Sequence, residues 1–280
     1  MTDGRGDEAA VAQHYAHGAL ERAVLDALRA AGKDPDRLEP ADLAPVDEFH
    51  IGGRQATMDL AAQLDVAPGM HLLDIGSGLG GASRYLAQAL GCTVTGIDLT
   101  EEFVQVARAL SARTGLAGQV SYRQGSALAL PFPAGAFDAA YMLHVGMNIA
   151  DKATLFAEVR RVLKPRGRFG IYDVMREREG SLAYPVPWAA VPETSFLESS
   201  ATYTRGLAAV GFEVLALRSR REFALAFFAE LRERIARAGA PPLGLHIVMG
   251  PTTPQKIANM VSALEAGLIS PTEIVCRAGA

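Results

Sequence analysis

The chain has 280 residues, 49% of them hydrophobic and 21% charged, at a mean hydropathy of +0.13. It can bury a substantial core, which excludes a disordered chain or a tail-like regulator. The net charge of −4, from 27 Lys+Arg against 31 Asp+Glu, is the wrong sign for a protein living on phosphate-backbone contacts, so no nucleic-acid partner is expected.

Residues 1–10 are polar and contain glycine, and are expected to be loose. The first twenty residues hold acids and no apolar h-region, and no window approaches 18 apolar residues. No secretory signal and no membrane span are therefore expected, and the chain reads as cytoplasmic. Val11, Tyr15, Leu20, Val24 and Leu28 recur at near-helical spacing, predicting one amphipathic helix from Val11 to Ala31, ended by Gly32. KDPDRLEPADLAP reads as a connector, and a second helix is predicted from about Gly53 to Leu64. Residues 1–65 then form an N-terminal helical cap ahead of a core over 66–280.

From His71 the texture changes. HLLDIG (71–76) reads as a buried strand, GGASRYLAQAL (80–90) as a helix and CTVTGIDL (92–99) as a second strand. Thr100 is placed to cap the next helix, with Glu101 and Glu102 in its first turn. VSYRQGS is a third strand and FDAAYMLH (137–144) a fourth. DKATLFAEVRRVL (151–163) is a helix, and KPRG turns into a fifth strand, RFGIYDV (168–174). GFEVLALRS (211–219) and EIVCRA (273–278) read as two closing strands. This alternation predicts an α/β fold, a Rossmann-like, doubly wound, mostly parallel seven-stranded sheet. Segments at about 174–210 and 220–270 are expected to supply a helical lid and an acceptor pocket. In the second, Phe223, Phe227, Phe228, Leu231 and Ile235 share one helix face, read as core or lid packing. With Arg218, Arg220 and Arg221 nearby, a membrane-surface helix is the alternative. Cys92 and Cys276 read as small buried hydrophobes, and no His/Cys/Asp set has metal-ligand spacing, so no metal is expected.

GSGLGG (76–81) joins the first strand to the first helix of the core. Its spacing is Gly76-x-Gly78-x-x-Gly81, with Asp98 22 positions after Gly76 at the end of the second strand. Glycines let backbone approach a ligand and the acid reads a ribose, so the pattern predicts a nucleoside cofactor and leaves an NAD(P)-dependent oxidoreductase open. Asp74 stands two residues before Gly76. A carboxylate there is unhelpful beside a pyrophosphate and suits a ligand with a cationic tail and no phosphate, which points to S-adenosylmethionine.

LDIGSGLGG, GIDL, ALPFPAGAFDAAYMLH and RRVLKPRGRFGIYD resemble the ordered motifs of the class I S-adenosylmethionine-dependent methyltransferases, over about residues 45–175 and more loosely in the two terminal strands. Within that class the chain looks closest to small-molecule enzymes related to the ubiquinone/menaquinone, sarcosine/dimethylglycine and sugar O-methyltransferase groups. The resemblance implies S-adenosyl-L-methionine as cofactor, S-adenosyl-L-homocysteine as product and a small-molecule acceptor as partner. It implies that Asp74 and the backbone of Gly76, Ser77 and Gly78 hold the methionine moiety, Asp98 the ribose and Leu99 the adenine face. Ser126 and Ala127 would flank the adenine edge, and Leu143 and His144 would close over the cofactor. Ser126 stands where the family commonly has Asp, and Arg166 in KPRG where it usually has glycine.

Ligands of such sheets bind outside the carboxyl ends of the strands. Methyl transfer is an in-line displacement that needs its acceptor held at roughly 3–3.5 Å, and a hydroxyl acceptor usually needs a base. His144, ending strand four, is the leading base, or else packs on the cofactor. Asp173, ending strand five, would orient a histidine or bind an amine. His50, Asn148, Tyr15, Trp188 and His246 are the candidates for acceptor contacts and lid. His14, His17 and His71 have no assigned role. The predicted activity is transfer of a methyl group to N or O of a small, partly apolar metabolite. The alternatives are C-methylation of a quinol-like ring, the oxidoreductase above, and a non-catalytic S-adenosylmethionine-binding protein.

Overall fold

The structure, a computed structural model, describes residues 4–15 and 18–280. The stretch expected to be loose is helical from residue 4 on, and residues 1–3 and His17 lie outside the described residues. Two helices, α1 (Gly4–Tyr15) and α2 (Leu20–Ala30), replace the single one expected. The chain turns at Gly18, at φ +76°. The backbone N–H groups of Gly18 and Leu20 both donate to the Glu102 carboxylate, at 2.8 and 2.9 Å. A side chain some eighty positions away thus holds the break, which no local periodicity could register.

The expected connector also contains a helix, α3 (Pro40–Asp47). Proline at its first position needs no N–H partner, and Asp42 accepts the Glu39 N–H at 3.0 Å. The core elements then follow as α4 (Gly53–Ala61), β1 (His71–Ile75), α5 (Gly81–Leu90), β2 (Thr93–Asp98), α6 (Glu101–Arg113), β3 (Val120–Gln124), β4 (Phe137–Leu143), α7 (Lys152–Val162), β5 (Leu163–Arg176), α8 (Ser200–Ala209), β6 (Phe212–Ser219), α9 (Arg221–Ala238), α10 (His246–Met249), α11 (Thr253–Glu265) and β7 (Ile269–Ala278). Thr100 stands at the N-cap position of α6 without a capping side-chain bond. Its own N–H donates instead to Asp98 Oδ1, at 2.9 Å.

Seven strands form one sheet in the order β3-β2-β1-β4-β5-β7-β6. β1 to β5 run parallel, and β7 lies antiparallel between β5 and β6. The strand order reverses between β1 and β4, which opens a crevice at their carboxyl ends. Both faces are covered, as period-two alternation in β1 records. Leu72 packs with Leu60, Leu86 and Val104 from α4, α5 and α6, and Leu73 and Ile75 pack with Phe156, Val159 and Leu207 from α7 and α8. A third cluster joins α2 and α3 to α6 through Leu28, Leu43 and Leu110. Trp188, Phe228 and Leu264 centre a fourth.

The aromatic face of α9 divides between these clusters. Phe223 packs on the sheet cluster, Phe227, Phe228 and Leu231 join Trp188, and Ile235 is exposed. The three arginines are engaged: Arg218 and Arg220 pair with buried Glu273, and Arg221 donates to the carbonyls of Leu264 and Glu265. Core packing, rather than a free basic face, accounts for this helix. No helix among the described residues is long and apolar enough to cross a membrane.

KPRG bulges out of the β4–β5 pairing, where Phe137 faces Leu163 but Ala139 faces Arg168. Arg166 holds φ +65° there, a left-handed conformation that costs an L-residue about 1–2 kcal/mol and glycine almost nothing. Arg166→Gly is therefore expected to raise unfolding stability by about 1 kcal/mol. Urea denaturation checks this, and an unchanged or lower midpoint contradicts it.

Candidate active site

The loop after β1 is held by its own backbone. The Ile97 carbonyl accepts the N–H groups of Gly76 and Ser77 at 2.8 and 3.1 Å, and the Gly80 N–H donates to the Ser77 carbonyl at 2.8 Å. The Gly78 N–H donates to Asp98 Oδ2 at 2.8 Å. Gly76 and Gly78 sit at φ +70° and +51°, which glycine adopts without strain. A side chain on Gly76 would run into Val145, while the space beside Gly78 is open. No N–H of the described residues donates to the carbonyls of Gly76 or Gly78.

Asp98 therefore holds one N–H on each carboxyl oxygen, from Gly78 and Thr100, leaving a lone pair on each for a ligand hydroxyl. Burial raises its pKa, against the pull of those N–H groups. Asp74 is buried and accepts from Ser83 Oγ at 2.6 Å. Burial pushes its carboxyl up to about 7, opposed by that hydrogen bond.

A fully buried ion pair fixes the far side of the loop. Arg84, on α5, donates to Asp47 Oδ2 at 2.5 Å and to the Leu79 carbonyl at 2.7 Å. Asp47 ends α3 and presses on Gly81, where a Cβ would stand 2.5 Å from the Asp47 carbonyl oxygen and 2.6 Å from Oδ1. Only glycine lets α3 come this close, and a carboxylate then occupies the positive end of α5. Sequence spacing did not reveal Asp47; an arginine within the apolar helix GGASRYLAQAL was the available signal.

A cavity of about 350 Å³ opens over the carboxyl ends of β1, β2 and β4. It brings together Tyr15, His50, Asp74, Gly76, Ser77, Gly78, Asp98, Leu99, Ala127, Leu143, His144 and Asn148. His144 follows β4 at φ +57°, a left-handed conformation uncommon for a residue other than glycine. Its N–H donates to the Tyr172 carbonyl at 2.7 Å, and its buried Nε2 has no partner among the described residues. The His144 ring lies 5.0 Å from that of Tyr172 and 6.0 Å from that of His50, centre to centre. Burial drives the His144 pKa well below the usual value, helped by the neighbouring His50.

His50 is lowered to about 4 by burial. Its Nε2 lies 3.0 Å from the Gly53 carbonyl, which can only accept, so Nε2 carries the proton. Asn148 acts as a clamp, accepting from Tyr15 OH at 3.2 Å and donating to the Trp188 carbonyl at 2.7 Å. Glu8, Val11 and Tyr15 recur at helical spacing and carry α1 across the cavity, with Asp7 beside them. Phe49, next to His50, and Val145, Ile149 and Val248 complete apolar walls that the sequence did not single out.

Four candidates stand elsewhere. Ser126 does not line the cavity; its hydroxyl donates to Glu8 and accepts the Leu128 N–H at 3.0 Å. Asp173 does not end its strand, because β5 continues to Arg176. It is completely buried and accepts from Tyr203 OH at 2.7 Å. Burial lifts its pKa to about 6, against that hydrogen bond. A side chain on Gly146 would collide with both Asp173 and Tyr203, so this pair backs the loop between His144 and Asn148 rather than facing a ligand. Trp188 is packed against Ile51, Met147 and Phe228, its indole N–H donating to Ser195 Oγ at 2.9 Å. His246 is exposed, and Val248 of the same helix takes the place in the wall. No group of three or more His, Cys, Asp or Glu placed to hold a metal ion occurs among the described residues.

Sheet order, glycine loop and strand-end acid together define the fold of the class I S-adenosylmethionine-dependent methyltransferases. Residues 73–171 match the family described as a methyltransferase domain. An O-methyltransferase of Penicillium expansum is 33% identical over 145 residues, which is 52% of this chain and 50% of that protein. A glycine/sarcosine/dimethylglycine N-methyltransferase of Actinopolyspora halophila is 33% identical over 131 residues, 47% of this chain and 23% of that one. The chain thus matches half or less of the length of these curated relatives. The solved geranyl diphosphate C-methyltransferase of Streptomyces coelicolor A3(2) shares the fold at TM-score 0.71 and 20% identity, covering 97% of both chains.

Asp74 supplies a check on the site that is independent of turnover. Its folded pKa of about 7 lies above the ordinary value near 3.9, so the folded state binds the extra proton. That contribution is complete below about pH 4 and is lost as pH rises through about 7. Relative to the parent, Asp74→Asn should therefore gain stability between pH 5 and pH 8. Denaturant midpoints at the two pH values measure this, and a constant difference contradicts it.

Proposed function

We propose that the chain transfers the methyl group of S-adenosylmethionine to nitrogen or oxygen of a small, partly apolar acceptor. The observation that carries the reading is how the glycine loop spends its hydrogen bonds. The N–H groups of Gly76, Ser77, Gly78 and Gly80 are taken by the protein itself, and Asp47 stands where an anion would meet α5. The carbonyls of Gly76 and Gly78 and the carboxylates of Asp74 and Asp98 stay available to a ligand, acceptors suited to an ammonium group and to ribose hydroxyls. A pyrophosphate needs the opposite arrangement, which disfavours the oxidoreductase.

In this reading Asp98 binds the ribose, Asp74 and the carbonyls of Gly76 and Gly78 bind the methionine end, and Leu99 and Ala127 flank the adenine. When bound, the cofactor supplies an electrophilic methyl group on a sulfonium. Leu143 and His144 stand at the end of β4, facing the same cavity. A neutral His144 imidazole accepts the proton that an N–H or O–H acceptor releases, while Tyr15, His50 and Asn148 hold the acceptor. Asp173, with Tyr203 and Gly146, positions the loop that carries His144. The named relatives are an O-methyltransferase and an N-methyltransferase and the solved neighbour is a C-methyltransferase, so the choice of nitrogen or oxygen rests on the cavity and its histidine base.

Two substitutions separate cofactor binding from catalysis. His144→Asn tolerates the left-handed backbone and should lower turnover of an acceptor by about 10²–10⁴-fold, with affinity for S-adenosylhomocysteine almost unchanged. Normal turnover removes its role as base. Asp98→Ala should weaken cofactor binding by at least about tenfold through lost charge-assisted hydrogen bonds; unchanged affinity removes the ribose assignment.

A further inference from the structure

The charged side chains around the cavity are of one sign. Asp7, Glu8, Asp47, Asp74, Asp98 and Asp151 line it, and no lysine or arginine does among the described residues. The basic groups nearest to hand are committed. Arg84 pairs with Asp47 and Arg54 with Glu48, and the Lys152 ammonium donates to the carbonyls of Ile149 and Phe196.

Two independent observations point to a cationic occupant. Asp47 is 6% exposed; its Oδ2 pairs with Arg84, and its Oδ1 has no hydrogen-bond donor among the described residues. Asp7 and Glu8 stand on the face of α1 that crosses the cavity, where a carboxylate attracts cations and repels anions. The remaining wall, with Val11, Phe49, Val145 and Ile149, is apolar. An anionic group brought here would be desolvated without a counter-charge, at a cost that apolar contact does not recover.

We infer that the acceptor is a lipophilic amine, arriving as its ammonium form with an apolar body, and that acceptors bearing phosphate, sulfate or carboxylate are excluded. This rests on the methyl-transfer reading above and narrows its acceptor. For a secondary amine, the ammonium proton passes to the His144 imidazole and from there to solvent. The freed nitrogen lone pair forms the N–C bond as the C–S bond breaks, and that electron pair returns to sulfur as a neutral thioether. The product leaves as a methylated ammonium ion.

The test uses three probes that share one apolar body, phenylbutylamine, phenylbutanol and phenylbutyrate. Each is titrated calorimetrically into the full chain saturated with S-adenosylhomocysteine, at two salt concentrations. The amine is expected to bind at least about tenfold more tightly than the carboxylate, equivalent to roughly 1.4 kcal/mol, with the preference shrinking at high salt. The double substitution Asp7→Asn, Glu8→Gln should reduce the preference at least threefold. Equal or tighter binding of the carboxylate, or no discrimination among the three, overturns the inference while leaving the cofactor site standing. Failure of S-adenosylhomocysteine itself to bind instead overturns the methyl-transfer reading beneath it.

Discussion

Much of the site depends on a single buried guanidinium. Arg84 has no exposed surface, and Asp47 is its carboxylate partner. Such a pair contributes little net stability over an apolar replacement, but breaking it strands a buried charge at a cost of about 3–5 kcal/mol. Its value here is positional. By drawing Asp47 onto Gly81 it docks the end of α3 against the glycine loop, and Glu48, Phe49 and His50 then follow into place. Glu48 continues the network by pairing with Arg54 and accepting from Thr57 at 2.7 Å. The glycine loop and the far wall of the cavity are thus one construction.

That construction also sets the chemistry. Glycine loops at the first strand–helix turn of parallel sheets often present N–H groups to phosphate. Here the N–H groups of Gly76, Ser77, Gly78 and Gly80 turn inward, to the Ile97 and Ser77 carbonyls and to Asp98, while the carbonyls of Gly76 and Gly78 stay unbonded among the described residues. A loop pattern that permits several nucleoside cofactors becomes selective through where its hydrogen bonds go. The two histidines fit the same logic, since burial keeps both rings neutral and available as acceptors in a cavity whose other titratable groups are acidic.

The sheet was legible because parallel strands buried on both faces read as short apolar runs separated by helical periods. HLLDIG, CTVTGIDL and FDAAYMLH fall at β1, β2 and β4 within a residue or two. The placement of Asp74, Asp98, Gly76 and Gly78 at one cavity was legible because it depends on local spacing. Features set by distant contacts were not. The break between α1 and α2 is held by Glu102, α3 lies within a Pro/Asp-rich stretch that reads as loop, and Asp47 matters only through Arg84. Asp173 illustrates the limit well: a strand's last polar residue predicts a ligand contact, but β5 continues past it and Tyr203 and Gly146 close over it. Trp188 follows the same pattern, since a lone tryptophan beside prolines reads as a lid and instead fills a core.

The central claim is that this loop binds a cationic, phosphate-free nucleoside, and calorimetric titration of the chain with S-adenosylmethionine, S-adenosylhomocysteine and NAD(H) side by side tests it most directly. Binding of the first two in the micromolar range with no heat from NAD(H) is the predicted result. Binding of NAD(H) in preference would contradict it, because the inward-turned N–H groups would then have to reopen to meet a pyrophosphate.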